Sequence, residues 1–276
     1  MHIKNSVRKL FIYIILVIWA MTTIYPMFWV INNSFKPSDE VISNSFALAG
    51  SFDLFNYKTA VERVNIFNSY KNSLIISGSV VVLVMLFAGL SAYIIARYRF
   101  RFKNIIYTAL VGCMLFPVFS TIVPVFMILS KMKLINTHPG LILTQTAGNL
   151  PFAVLVLSAY MATIPVELEE AAHMEGCNTW QRFSRLIIPI SRPSFATVAI
   201  FTFLWSYNDL FMSLVIIRKK ELHPICLLLN EISSQYGTDF GLMAATVAIT
   251  VVPVLIVYLI AQKHIVKGLT AGAIKA

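Results

Sequence analysis

Charged residues are scarce in this 276-residue chain: Asp, Glu, Lys and Arg together make up 12%, about half the share of a water-soluble domain. Hydrophobic residues make up 58%. So little charge cannot coat a globule in water, which excludes cytosolic, secreted and disordered classes. Cysteine is scarce too. Cys113, Cys177 and Cys226 are an odd set in distant segments, which excludes a disulfide framework and a thiolate metal site. None of the eleven glycines is followed by lysine, so the Gly-Lys-[Ser/Thr] end of a phosphate-cradling loop is missing. The five histidines, His2, His138, His173, His223 and His264, are scattered. No pair of acids, and no serine with histidine, lies within the apolar runs as an intramembrane enzyme would require.

What the chain does have is length of apolar run. A spanning helix needs roughly 20 such residues, and six stretches qualify: Leu10–Ile31, Ser73–Ala96, Ile105–Ser130, Gly140–Met161, Ser194–Ile217 and Phe240–Ala261. Pro117 and Pro124 interrupt the third, Pro151 the fourth and Pro253 the sixth. Backbone groups freed by proline must be re-satisfied within the protein, so these helices are expected to pack together around a cavity. The first run exceeds the 7–15 residues of a signal-peptide core and no small-x-small site follows it, so it reads as a retained helix.

The net charge of +10 would raise nucleic-acid binding in a soluble protein. Here the cations cluster between apolar runs, and that pattern sets topology instead. With the N-terminus inside, inner segments hold 13 Lys and Arg and outer segments 9, led by the dense group Arg97, Arg99, Arg101 and Lys103. The reading is an all-α integral membrane protein of six transmembrane helices with cytoplasmic N- and C-termini. It divides into an N-terminal helix and first outer loop (1–72), a core (73–262) and a cytoplasmic tail (263–276). Two outer segments are long, Asn32–Asn72 and Arg218–Asp239, and no internal repeat is visible.

The inner segment Thr163–Pro193 stands apart. Pro165 suits a first helical position, and Glu167, Glu169 and Glu170 suit the positive end of that helix. Gly176 is where it should stop. Asn178 with Gln181 forms a capping pair for a second short helix, which Pro189 and Pro193 are expected to end. Ala171 and Ala172 leave the first helix nearly bare and Glu170 offers a charge, so a small acidic knob could fit a socket on another protein. An amphipathic connector lying on the membrane surface would read similarly.

Glu170-Ala171-Ala172, three residues, Gly176, nine residues, then Leu186-x-Ile188-Pro189 resembles the EAA motif of ABC importer permeases, with Leu and Ile exchanged at 186 and 188. Tyr25-Pro26-x-x-Trp29, Ser34-Phe35-Lys36 and the tail from Gln262-Lys263 to Lys275 resemble the smaller, six-span permease of maltose-type carbohydrate importers. The resemblance implies the type I ABC importer permease architecture in the bacterial cytoplasmic membrane. It implies that Glu170, Ala171, Ala172, Gly176, Leu186 and Pro189 couple to a separate ATPase. The implied partners are a second homologous permease, two copies of a cytoplasmic ABC ATPase, an extracytoplasmic sugar-binding protein and membrane lipid, with no nucleic acid. The chain itself is expected to bind no cofactor or metal and to be no enzyme; ATP and its Mg2+ belong to the ATPase. By the same resemblance Arg218–Asp239 would probe the binding protein's cleft.

For a translocation path the residues offer Trp205, Asn208 and Asp209, which at i, i+3, i+4 share a helix face, and Gln145 with Asn149 on the fourth span. An aromatic plane beside amide and carboxylate holds a sugar by stacking and hydroxyl bonding. The same groups also suit bonding between helices or to the second permease. An ion-coupled secondary transporter would need midplane ionisable groups and repeat symmetry, for which Asp209 alone stands. Import of a non-sugar solute such as glycerol phosphate is a further alternative.

Overall fold

The computed structural model describes residues 2–63, 65–228, 230 and 239–273. Residues 229 and 231–238 of the Arg218–Asp239 loop and Lys275 of the tail pattern lie outside the described residues. Twelve helices matter here: α1 (His2–Asn33), α2 (Ser38–Ser43), α3 (Phe55–Arg63), α4 (Ile66–Arg97), α5 (Lys103–Leu115), α6 (Val118–Lys131), α7 (His138–Ala162), α8 (Glu167–Met174), α9 (Thr179–Ile190), α10 (Arg192–Tyr207), α11 (Leu210–Ile216) and α12 (Phe240–Ala273). They form two compact units, Met1–Ile66 with Leu228–Pro253, and Phe67–Leu227 with Val254–Ala276.

In the first unit α1 exposes apolar side chains all round, Trp19 at 73% among them, a surface suited to lipid or a partner helix rather than water. The polar residues at and after the end of α1 bond to backbone groups. Asn32 takes the Ala47 carbonyl and accepts from Ala49 N–H, and Asn33 takes those of Trp29 and Ser45. Asn56 donates to the carbonyls of Ser34 and Lys36 at 2.9 and 2.8 Å. Lys36, one of the nine cations that the sequence reading assigns to outer segments, is fully buried, and its Nζ donates to the carbonyls of Asn44 and Ala47. An ammonium taken out of water needs such acceptors. A methyl group on Gly241 would fall on the Lys36 carbonyl oxygen, so only glycine lets the start of α12 approach this closely.

The second unit is built on α4. Its residues Ile76, Val80, Val84, Ala88 and Ala92 recur every four positions and are all but fully buried. They pack into one core with Leu141, Leu157 and Met161 of α7 and Val198 of α10, a helical stripe facing its neighbours.

Three apolar runs differ from the expected spans. The third is two helices, α5 and α6, bent by 106°. Pro117 cannot donate to a helical carbonyl, and Phe116 before it is driven to extended backbone (φ −75°, ψ 127°). The fifth breaks at Asn208–Asp209 between α10 and α11. The sixth does not end at Ala261 but continues as one helix to Ala273. Pro26, Pro151 and Pro253 are carried inside α1, α7 and α12. Among the described residues, Lys9–Asn33, Ile66–Arg97 and His138–Ala162 are each long and apolar enough to cross a membrane, and the bent pairs α5–α6 and α9–α10 only when each pair is taken together.

Candidate functional site

The loop between α7 and α10 is shaped by its local sequence. Helix α8 starts at Glu167, so Pro165 stands two residues before it rather than at its first position. Glu167, Glu169 and Glu170 lie in its first turn, where negative charge meets the positive helix end. Its C-terminus is a full Schellman motif. Gly176 sits at φ +86°, Cys177 N–H donates to Ala172 O at 3.0 Å, and Gly176 N–H donates to His173 O at 2.9 Å. Asn178 and Gln181 exchange backbone-to-side-chain bonds of 2.9 and 2.8 Å, a complete capping box. Pro189 does not end α9. A turn of π-helix over Arg182–Ile187 precedes it and Pro189 stays within the last turn. The chain then turns by 77° at Ser191 into α10, with Pro193 in the first turn. Glu170, Ala171 and Gly176 are exposed, while Ala172, Leu186 and Pro189 are half-buried. The acidic, bare face is therefore open.

Sequence reasoning missed the residue that anchors this loop. Glu169, its neighbour in the same acidic turn, points inward. Its Oε1 lies 2.5 Å from Arg97 Nε, both side chains under a tenth exposed, and Tyr93 OH donates to its other oxygen at 2.7 Å. Arg97 also donates to Ile164 O at 2.9 Å. Helix phase was the only available signal: Glu169 and Ala172, spaced i, i+3, form the inner side of α8.

The five residues considered for a translocation path all line one cavity of about 1000 Å³, whose wall also includes Phe116, Phe119 and Phe211. Trp205, Asn208 and Asp209 do not share a continuous helix face. The helix stops at Tyr207, Asn208 turns its Nδ2 back to Leu204 O at 2.8 Å, and Asp209 opens α11 as its N-cap, Oδ1 accepting from Met212 N–H at 3.2 Å. An aspartate followed by apolar residues starts a helix as readily as it continues one. Gln145 joins the broken pieces: Nε2 donates to Asp209 Oδ2 at 2.9 Å, and Oε1 accepts from Ser206 Oγ at 2.5 Å. Asn149 is turned to its own helix, donating to Gln145 O. Trp205 is stacked edge-on against Phe152 at 4.8 Å yet remains 47% exposed. Gln145, Asn149 and Asp209 are thus engaged within the protein, whereas Trp205 and Asn208 remain exposed.

Residues 85–271 match the family described as binding-protein-dependent transport system inner membrane component, and the chain belongs to that family. It is accordingly a multi-pass inner-membrane transport permease rather than an enzyme. The chain is 35% identical over 263 residues to the diacetylchitobiose uptake system permease protein NgcG of Streptomyces coelicolor, covering 95% of this chain and 87% of that protein. It is 30% identical to the galactooligosaccharides transport system permease protein GanQ of Bacillus subtilis, with coverage of 100% and 98%. It is 32% identical to the trehalose transport system permease protein SugB of Mycobacterium tuberculosis, with coverage of 91% and 92%. Its fold is that of a chain from a bacterial ABC transporter involved in the import of the polysaccharide alginate, at TM-score 0.80, 22% identity, and coverage of 94% and 97%.

Proposed function

We propose that the chain is one of two permease halves of an ATP-driven oligosaccharide importer, and that the 163–193 loop docks on a separate ATPase. The observation that carries this reading is the open face of α8: Glu170 and Ala171 stand exposed on a helix held rigid by the Schellman stop at Gly176. Relatives named for diacetylchitobiose, galactooligosaccharide and trehalose uptake support a sugar as substrate. So does the cavity wall, which among the described residues holds Trp205, Asn208 and Asp209 but no Lys or Arg. An anionic solute such as glycerol phosphate would call for cations there.

In this reading the chain crosses the membrane six times, α5–α6 counting as one span and α10–α11 as another, with both termini cytoplasmic. A sugar-binding protein meets the outer face, the second permease completes the cavity, and two ATPase subunits bind the ATP and Mg2+. The core of the path is 73–262, and the 263–276 end of the chain faces the ATPases.

The test is co-purification from detergent extract of wild type, Glu170→Lys and Gly176→Pro. Wild type is expected to bring down an ATPase and a second permease, and the variants to lose only the ATPase. Wild type bringing down no ATPase would overturn the reading and move an ion-coupled transporter to the front.

A further inference from the structure

Of the four longest described helices, α4 alone contains no proline. At 32 residues it is about 48 Å long. A proline-bearing helix can absorb a displacement at its kink, whereas an uninterrupted one passes it along. Both ends of α4 carry polar side chains that act as pins, and each set holds a different loop.

At the C-terminal end, Arg97 and Tyr93 hold the 163–193 loop through the buried Glu169 carboxylate, and Arg97 adds the Ile164 carbonyl. At the other end, Asn68 donates to Glu221 O at 2.6 Å, and Asn72 donates to Glu221 O and His223 O at 2.9 and 3.1 Å. Ser73 Oγ accepts from Ile225 N–H at 2.8 Å. One turn further along, Ser77 Oγ lies 3.1 Å from the Ser206 hydroxyl that donates to Gln145 in the cavity wall. One rigid element therefore touches the proposed ATPase-docking loop, the cavity network, and the base of the opposite loop.

We propose that α4 is the transmission strut of this importer. Arg97, Tyr93 and Glu169 form its joint with the docking loop, and Asn68, Asn72 and Ser73 form its joint with the 218–227 segment. Displacement at either end moves the other. Because charge pairing at Glu169 is buried and bonded to two residues of α4, the docking loop cannot shift without carrying Arg97 with it. The strut rests on the docking role proposed for the 163–193 loop.

The experiment uses the assembled transporter with its co-purifying subunits, reconstituted in vesicles, in a background where Cys113, Cys177 and Cys226 are replaced by serine. An Arg218→Cys substitution reports on the far end through its rate of labelling by a membrane-impermeant maleimide, with and without ATP plus vanadate. The expected result is that ATP–vanadate changes that rate in the parent. Arg97→Gln and Asn72→Ala each reduce the change by about fivefold or more, while the ATPase co-purifies at the parent level. The exchanged pair Arg97→Glu with Glu169→Arg restores more than half of the change. A change kept within twofold in both single variants would overturn the strut. So would loss of the ATPase together with the change, because the pins would then serve only to present the loop. A parent complex carrying no ATPase is a different failure: it overturns the docking reading itself.

Discussion

A graded series at Gly176 separates backbone conformation from side-chain contact in the proposed docking loop. At φ +86°, a residue with a Cβ costs roughly 1–2 kcal/mol in this region, and asparagine less because its short polar side chain tolerates it. No atom lies within 4 Å of a Cβ built there, so a methyl group meets no steric obstacle. The order of damage is therefore set by conformation: Gly176→Asn mildest, then Gly176→Ala, then the β-branched Gly176→Val. Gly176→Pro is worst, because proline cannot leave φ near −65° and also removes the N–H given to His173 O. A penalty of 1–2 kcal/mol lowers the population of the correctly ended helix by about 5- to 30-fold. Co-purification of the ATPase and sugar uptake, at matched expression, should fall in that order. Equal damage by Asn and Val, or harmless Pro, would refute the backbone argument.

Other residues separate the roles in the cavity. Gln145→Leu removes a donor from Asp209 and the acceptor of Ser206, and should destabilise the purified protein by about 2–3 kcal/mol, read as a lowered Tm. Asn208→Ala removes only an exposed bond to its own helix, so stability should change by less than about 0.5 kcal/mol, and any loss of uptake then reports contact with substrate. Trp205→Ala should raise the KM for sugar uptake by up to about tenfold, the scale of one lost aromatic contact, with Trp205→Phe intermediate; an unchanged KM removes Trp205 from the path. Gly241→Ala forces a methyl group onto the Lys36 carbonyl and should destabilise the protein by about 1–3 kcal/mol, read as a Tm drop that Gly50→Ala, with open space around it, does not share.

Much of the loop was legible because its devices are local. The glycine stop, the capping box and the acidic first turn each involve residues fewer than six apart, so helix physics alone predicts them. The apolar runs were legible for a related reason, since bilayer thickness imposes a length that composition reveals. Proline was read less well. Pro117 breaks a run where Pro151 and Pro253 do not, because tolerance depends on whether neighbours satisfy the freed carbonyl, which a single segment does not record. The three glutamates of α8 also look equivalent along the chain, yet Glu169 is buried and Glu170 exposed.

The sequence by itself thus determined membrane residence, the all-helical class, the stop of α8 and the start of α9, all set by interactions within one segment or with the surrounding solvent. Tertiary structure alone decided which polar groups meet: Tyr93 with Glu169 across 76 positions and Gln145 with Asp209 across 64. Those pairings depend on how the helices pack, and burial then forces each polar group to find its partner.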